Sequence, residues 1–211
     1  TKEQVVELSR ANGLVGFGHY GDNTVSEALQ AAQTHDGIIS LRNDVMALAK
    51  REKLKDIEKL NSLLGSSNTD FAIAYGLSFA ETRVQFFQYL KSLKNEIKKT
   101  GKTAVVLSLA EPFIFWEMSK FADAIQKEIG AKLIDVTKGD TFPDTLDAEA
   151  LYVVHSQPVS KEIYSKLLVL SNLPPLIEGD GALSAAMTLG RPFVCMRSGN
   201  NSYVFSDLVK L

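Results

Sequence analysis

The sequence predicts an α/β protein, with a Rossmann-like parallel sheet covered by helices and an N-terminal helical segment. Two observations carry this prediction. Helical patterns longer than about ten residues alternate with short apolar runs, as expected of strand–helix–strand crossovers. The runs 104–107 and 151–154 are apolar without alternation, which is typical of strands that helices cover on both faces.

The predicted elements follow from periodicity and from helix start and stop signals. Helices are predicted at 2–12, 24–34, 44–64, 79–99, 112–129, 160–170 and 182–189. Strands are predicted at 14–17, 37–41, 71–75, 103–109, 132–136, 151–155, 176–177 and 193–196. On the helix 79–99, Val84, Phe87 and Leu90 belong to an apolar stripe at steps of mostly three and four residues, which we expect to dock on the sheet.

A Gly-Ser-Ser-Asn-Thr loop at 65–69 is the best candidate for a domain boundary. It separates a helical segment, 1–64, from a regular strand–helix series over 68–211. The chain begins with Thr1 rather than Met, and we expect it to be a piece of a longer protein.

Composition narrows the class of protein. Apolar residues make up 45% and charged residues 23% of the 211 residues, as in soluble globular proteins, and the net charge of −2 gives no reason to expect nucleic acid. No apolar run approaches the roughly 20 residues that span a bilayer. The single cysteine, Cys195, lies in an apolar run and suggests no oxidising compartment, so we expect a cytoplasmic protein. The lysine-rich stretch 91–102 is expected to be a solvated helix face.

Several catalytic signatures are absent from the sequence. No His or Cys pair has metal-ligand spacing, there is no nucleophile elbow, and there is no Walker A motif, so no metal site and no catalytic residue is assigned. Gly16, Gly18 and Gly21 form a Gly-x-Gly-x-x-Gly match without a clear βαβ unit. That match leaves a nucleotide-dependent oxidoreductase as a weaker hypothesis.

The most informative segment is 173–194, which predicts a buried strand, a Gly-Asp-Gly turn, a short helix and another strand. Such a turn presents unpaired backbone N–H groups at a helix N-terminus, a ready site for phosphate. The ends of parallel strands meet at one edge, so Tyr75 and Gln157 should lie at the same edge as this turn. The candidate binding residues are Tyr75, Gln157, Gly179, Asp180, Gly181, Ala182 and Leu183.

From residue 68 to residue 196, this order of motifs resembles the C-terminal, donor-binding half of GT-B glycosyltransferases. The nearest likeness is to bacterial protein-arginine rhamnosyltransferases, whose turn Gly-Glu-Asp-Ser precedes a helix ending in Gly-x-Pro-Phe. Here Gly190, Pro192 and Phe193 match that ending. The resemblance implies transfer of a sugar from a nucleotide-sugar to an acceptor such as a protein, with the donor as substrate and no cofactor. The segment 1–64 would then be the remnant of an acceptor domain.

By this resemblance Tyr75 would flank the base, Gln157 would lie near the nucleotide, and the turn from Gly179 would hold the ribose and the diphosphate. The sequence departs from the family where its Asp and Ser are Gly181 and Ala182. These departures favour an alternative hypothesis, a non-catalytic α/β module for nucleotide binding or protein interaction.

Overall fold

The computed structural model of the protein describes residues 22–64, 68–77, 80–109, 119–190 and 192–196. Within these ranges the protein is an α/β structure whose six strands, all parallel, form one sheet with seven helices around it. This Rossmann-like architecture confirms the predicted fold class. The strands are β1 (Thr69–Tyr75), β2 (Thr103–Leu109), β3 (Lys132–Asp135), β4 (Leu151–His155), β5 (Leu176–Ile177) and β6 (Val194–Cys195).

The helices precede the sheet or connect its strands. They are α1 (Asp22–Ala31), α2 (His35–Glu52), α3 (Lys55–Leu63), α4 (Ala80–Thr100), α5 (Ser119–Ala124), α6 (Lys161–Leu170) and α7 (Asp180–Thr188). Helix α5 continues into a π-helical turn, Ile125–Ile129, which Gly130 ends with φ 69°. A short 3-10 turn, Val136–Lys138, follows β3.

The strand order is β3-β4-β2-β1-β5-β6. The chain starts near the middle of the sheet at β1, adds β2, β3 and β4 on one side, and then returns to add β5 and β6 on the other. Because β1 leads to α4 on one face and β5 leads to α7 on the opposite face, the connections diverge between these two strands. This is the topological switch point, where ligands of open parallel sheets bind.

Each strand contributes side chains to two buried layers. Ala74, Val106 and Val153 pack beneath α4 and the π-helical turn. On the opposite face, Ile73 and Leu107 belong to a larger cluster that includes α6, α7 and the three N-terminal helices. The segment 22–64 therefore shares a core with the sheet, and the proposed boundary after residue 64 stays a prediction.

Two predicted elements of the N-terminal segment were wrong. The predicted strand 37–41 lies in α2, because the hydroxyl of Thr34 accepts a hydrogen bond from the Gly37 amide (3.0 Å) and starts a helix there. The predicted helix 44–64 is two helices. Lys53, with φ 60°, ends α2 in the left-handed conformation, and its amide bonds the carbonyls of Ala49 and Lys50.

The predicted docking stripe on α4 was also partly wrong. Phe86 is completely buried, whereas Val84 is 61% exposed and Phe87 is half-buried. The buried row consists of Phe86, Leu90, Leu93 and Ile97. The helix is therefore rotated relative to the prediction. The predicted elements at 2–12 and 14–17, and the glycine motif at 16–21, lie outside the described residues.

Candidate functional site

The carboxyl edge of the sheet gathers the buried carboxyl and imidazole groups. Among the described residues, three carboxyl or imidazole side chains are buried: Asp135, His155 and Glu178. Asp135 ends β3, His155 ends β4, and Glu178 directly follows β5. Burial of such groups lowers the stability of the folded state unless they are hydrogen-bonded or paired with an opposite charge. Buried ionisable groups are common at functional sites. Their common location marks this edge as the candidate site.

At the switch point, the segment after β1 lies beside the segment after β5. The Glu178 amide donates to the Tyr75 carbonyl at 3.0 Å. Gly76 has φ 106°, and a Cβ added there would overlap the Glu178 Cβ and lie 2.6 Å from Oε2 of its carboxylate. Gly76 thus leaves the space that the buried Glu178 side chain occupies.

Gly179 forms the turn into α7. Its φ of 88° and ψ of 155° lie in a region that is essentially restricted to glycine. A Cβ built on Gly179 would meet no atom within 4 Å, so the space beside this turn is open. A ligand could therefore approach this backbone closely.

The residues after Gly179 form the first turn of α7. The Leu183 amide bonds the Gly179 carbonyl at 3.0 Å, so the amides of Asp180, Gly181 and Ala182 precede the first intrahelical bond. The side chains of Ala182 and Leu183 are each 2% exposed and belong to the core. These two residues could therefore contact a ligand only through their backbone.

The other two predicted site residues occupy different surroundings. The ring of Tyr75 packs edge-on against Tyr164 of α6, with centroids 5.2 Å apart and planes at 62°. Gln157 is exposed and follows β4. Since β4 and β5 are three strand positions apart, about 14 Å separates Gln157 from the α7 turn. Tyr75 therefore adjoins the turn, while Gln157 could reach only a distant part of an extended ligand.

A cluster of polar side chains that the sequence did not predict lies along the same edge. Ser108 is paired in register with His155, and His155 is paired with Asp135. The three side chains thus form a row across β2, β4 and β3, on the sheet face that α4 covers. The Ser108 hydroxyl is buried and has no hydrogen-bond partner among the described residues.

The end of this row is held by a hydrogen-bond network. Asp135 accepts from the Thr137 hydroxyl at 2.6 Å and from Lys138 Nζ at 3.1 Å, and its amide donates to the Asp140 carboxylate at 2.8 Å. Burial alone would raise the pKa of Asp135, but the hydrogen bonds from Thr137 and Lys138, with smaller contributions from His155 when it is protonated and from the charge of Lys138, hold that pKa below its ordinary value. The carboxylate is therefore ionised.

Burial has the opposite consequence for the histidine. It lowers the pKa of His155, because the charged imidazolium loses its hydration, and the Asp135 carboxylate offsets only part of that effect. His155 is consequently neutral around pH 7 in the folded protein.

The N-terminal segment also reaches this edge. The hydroxyl of Ser156, the residue after β4, donates to the carboxylate of Asp56 in the first turn of α3. This contact joins α3 to the strand ends, and sequence reasoning missed it because the two residues are 100 positions apart.

Within the described ranges, no three His, Cys, Asp or Glu residues are arranged to hold a metal ion. None of the helices described there has the length and apolar character needed to cross a bilayer. No family model matches this chain, and no curated protein or solved structure matches it either.

Proposed function

We propose that this chain is the donor-binding portion of a GT-B type glycosyltransferase, which binds a nucleotide-sugar at the switch point. The observation that carries the proposal is the α7 turn. It combines a conformation restricted to glycine, open space beside Gly179 and amides of the first helical turn, next to β1 in a parallel sheet. This combination suits a diphosphate, which those amides and the helix dipole would stabilise.

The chemistry expected of such a site is binding and stabilisation of the departing diphosphate. Donors that are already fixed in place stabilise charge as it develops on a leaving group. Tyr75, beside the turn, would contact the nucleotide, and an acceptor domain would complete the cleft in which the sugar is transferred.

One observation favours a second candidate, a non-catalytic α/β module. Glu178 is only 6% exposed and directly precedes Gly179. A carboxylate so near the first turn of α7 opposes the binding of phosphate, because the two anions would share the same positive helix end. If the Glu178 carboxylate always remains beside the N-terminus of α7, the protein has the fold but cannot bind the donor.

Calorimetric titration with uridine, guanosine, thymidine and adenosine diphosphates, with their sugar derivatives and with NAD tests the proposal. We expect at least one nucleotide to bind the parent chain. Gly181→Val should weaken that binding by placing a branched side chain where the backbone must approach phosphate. Glu162→Val, at the corresponding second position of α6, is the matched control and should leave affinity unchanged.

The outcomes separate the hypotheses. Absence of binding by every diphosphate and sugar nucleotide would contradict the proposed function and leave the non-catalytic module. Binding that Gly181→Val leaves unaltered would contradict the site. Glu178→Gln should strengthen binding if the carboxylate competes with phosphate, and binding of NAD alone would support an oxidoreductase instead.

A further inference from the structure

One side of α4 combines apolar and basic side chains that are fully or partly exposed. Val84, Phe87, Lys91, Lys94 and Lys98 follow one another at steps of three and four residues, so they form a single stripe along the helix. We call this stripe the α4 flank. It lies beside the buried row on the same helix and extends over 14 residue steps, about 21 Å.

The five residues of the α4 flank include three lysines and no acid, and the nearest acid along the same side of the helix is Glu81, one turn before Val84. Lys91, Lys94 and Lys98 take part in none of the ion pairs among the described residues. Lys91 Nζ lies 4.8 Å from the centroid of the Phe87 ring, so the ammonium covers the aromatic face. The one Glu with a described ion pair on this helix, Glu96, contacts Lys99, outside the stripe.

The apolar end of the flank is open to solvent. Val84 is 61% exposed, which is more than any other large hydrophobic residue in the part of the chain that the structure describes. It lies in the first turns of α4, one helical turn from Phe87. In helices that lie at a membrane surface, apolar side chains are flanked by lysines, and the α4 flank has the same combination of an exposed branched side chain, an aromatic ring and three ammonium groups.

We propose that the α4 flank binds the surface of an anionic lipid bilayer. Its lysines would contact lipid phosphates and carboxylates, while Val84 and the edge of Phe87 would enter the headgroup region. A nucleic-acid backbone would satisfy the ammonium groups but offers no apolar environment for Val84. The chain as a whole carries a net charge of −2, so the attraction is local to this flank and screened by salt.

The test is sedimentation of the full 211-residue chain with vesicles of phosphatidylcholine, either pure or containing about 30% phosphatidylserine. We expect binding only to the anionic vesicles, and loss of binding when salt is raised from about 0.05 M to about 0.5 M. The variant Lys91→Glu/Lys94→Glu/Lys98→Glu should bind at least ~100-fold more weakly, because each lysine near an anionic surface contributes about 5-fold.

A matched control keeps the change of net charge the same. Lys50→Glu/Lys53→Glu/Lys55→Glu alters three exposed lysines at the junction of α2 and α3, on the opposite side of the sheet, and should bind like the parent. Val84→Ser should weaken binding without changing its salt dependence. Far-ultraviolet circular dichroism and the urea midpoint would show that each variant is folded.

Failure of the parent chain to sediment with anionic vesicles would overturn the proposal. So would equal binding by the α4 variant and the control variant, since the attraction would then depend on total charge. Binding to heparin or RNA without binding to vesicles would also overturn it and would indicate a polyanion site. These outcomes are independent of nucleotide binding at the carboxyl edge.

Discussion

Replacing Gly76 by Ala tests the packing of the switch point. Gly76 has φ 106°, and an added Cβ would overlap the Cβ of Glu178. That Cβ is attached to the backbone, so no change of rotamer can move it away, and Oε2 of the same residue would be 2.6 Å away. The strand ends themselves would have to separate.

The expected loss has two parts. A Cβ at positive φ costs roughly 1–2 kcal/mol. Overpacking against an unyielding neighbour adds about 1–3 kcal/mol. Gly139→Ala is the matched control, because Gly139 has φ 92° and an added Cβ would meet nothing within 4 Å. We therefore expect Gly76→Ala to lower the free energy of unfolding by about 1–3 kcal/mol more than Gly139→Ala does.

Urea denaturation followed by circular dichroism measures both losses, provided that the slope with urea is unchanged. The double variant Gly76→Ala/Glu178→Gly removes the overlapping Cβ and should recover the overpacking part, which a double-mutant cycle isolates. Equal losses for Gly76→Ala and Gly139→Ala, within about 0.5 kcal/mol, would refute the contact. No coupling in the cycle would refute it as well.

Three further changes test other contacts. Ser160→Ala removes the hydroxyl that caps α6 at 3.4 Å and should cost about 0.5–1 kcal/mol in urea. Tyr89→Phe removes the 2.8 Å bond to the Pro174 carbonyl and should cost about 1 kcal/mol. Burial lowers the pKa of His155, so below about pH 6.5 the unfolded chain takes up a proton on this side chain more readily than the folded chain does. The free energy of unfolding therefore has its full value above about pH 6.5 and decreases as the pH falls below it. Urea midpoints at about pH 8 and about pH 5.5, where Asp135 stays ionised, should differ less in His155→Gln than in the parent.

Three of the strands could be predicted to the residue, whereas β1 begins two residues before the predicted 71–75. The structure places β2 at Thr103–Leu109, β4 at Leu151–His155 and β5 at Leu176–Ile177, as the sequence predicts. Helices cover these strands on both faces, so their apolar runs are continuous and end where polar residues or glycines begin. A local pattern suffices for such strands because burial imposes it directly.

The errors arose where position in the fold outweighs local pattern. Residues 37–41 contain Ile38 and Ile39, whose branched side chains favour a strand. In the structure Ile38 is 39% and Ile39 is 44% exposed on α2, while Leu41 is buried. The left-handed residue that divides the predicted helix 44–64 is Lys53, not a glycine, so no residue type marks the break.

The candidate site was predictable only in part. Tyr75 and Gly179 could be assigned to the carboxyl edge because Tyr75 ends one strand of a parallel sheet and Gly179 comes shortly after the end of another. Sequence alone could not show that β4 lies between β2 and β3, since the chain adds β3 before β4. The row of Ser108, His155 and Asp135 depends on that order and on the register, both of which are properties of the folded sheet.

Ionisable side chains are exposed at one edge of the sheet and buried at the other, and this contrast argues for function at the edge where they are buried. At the amino edge, Lys102 meets Asp70 and Lys132 meets Asp147 in partly or largely exposed pairs. Such pairs cost little and contribute little. At the carboxyl edge, Glu178 and the histidine–aspartate pair are buried instead. Replacement of buried ionic groups by apolar residues of similar volume is often neutral or stabilising, so filling the core does not by itself require these groups. A ligand that meets them there would account for them.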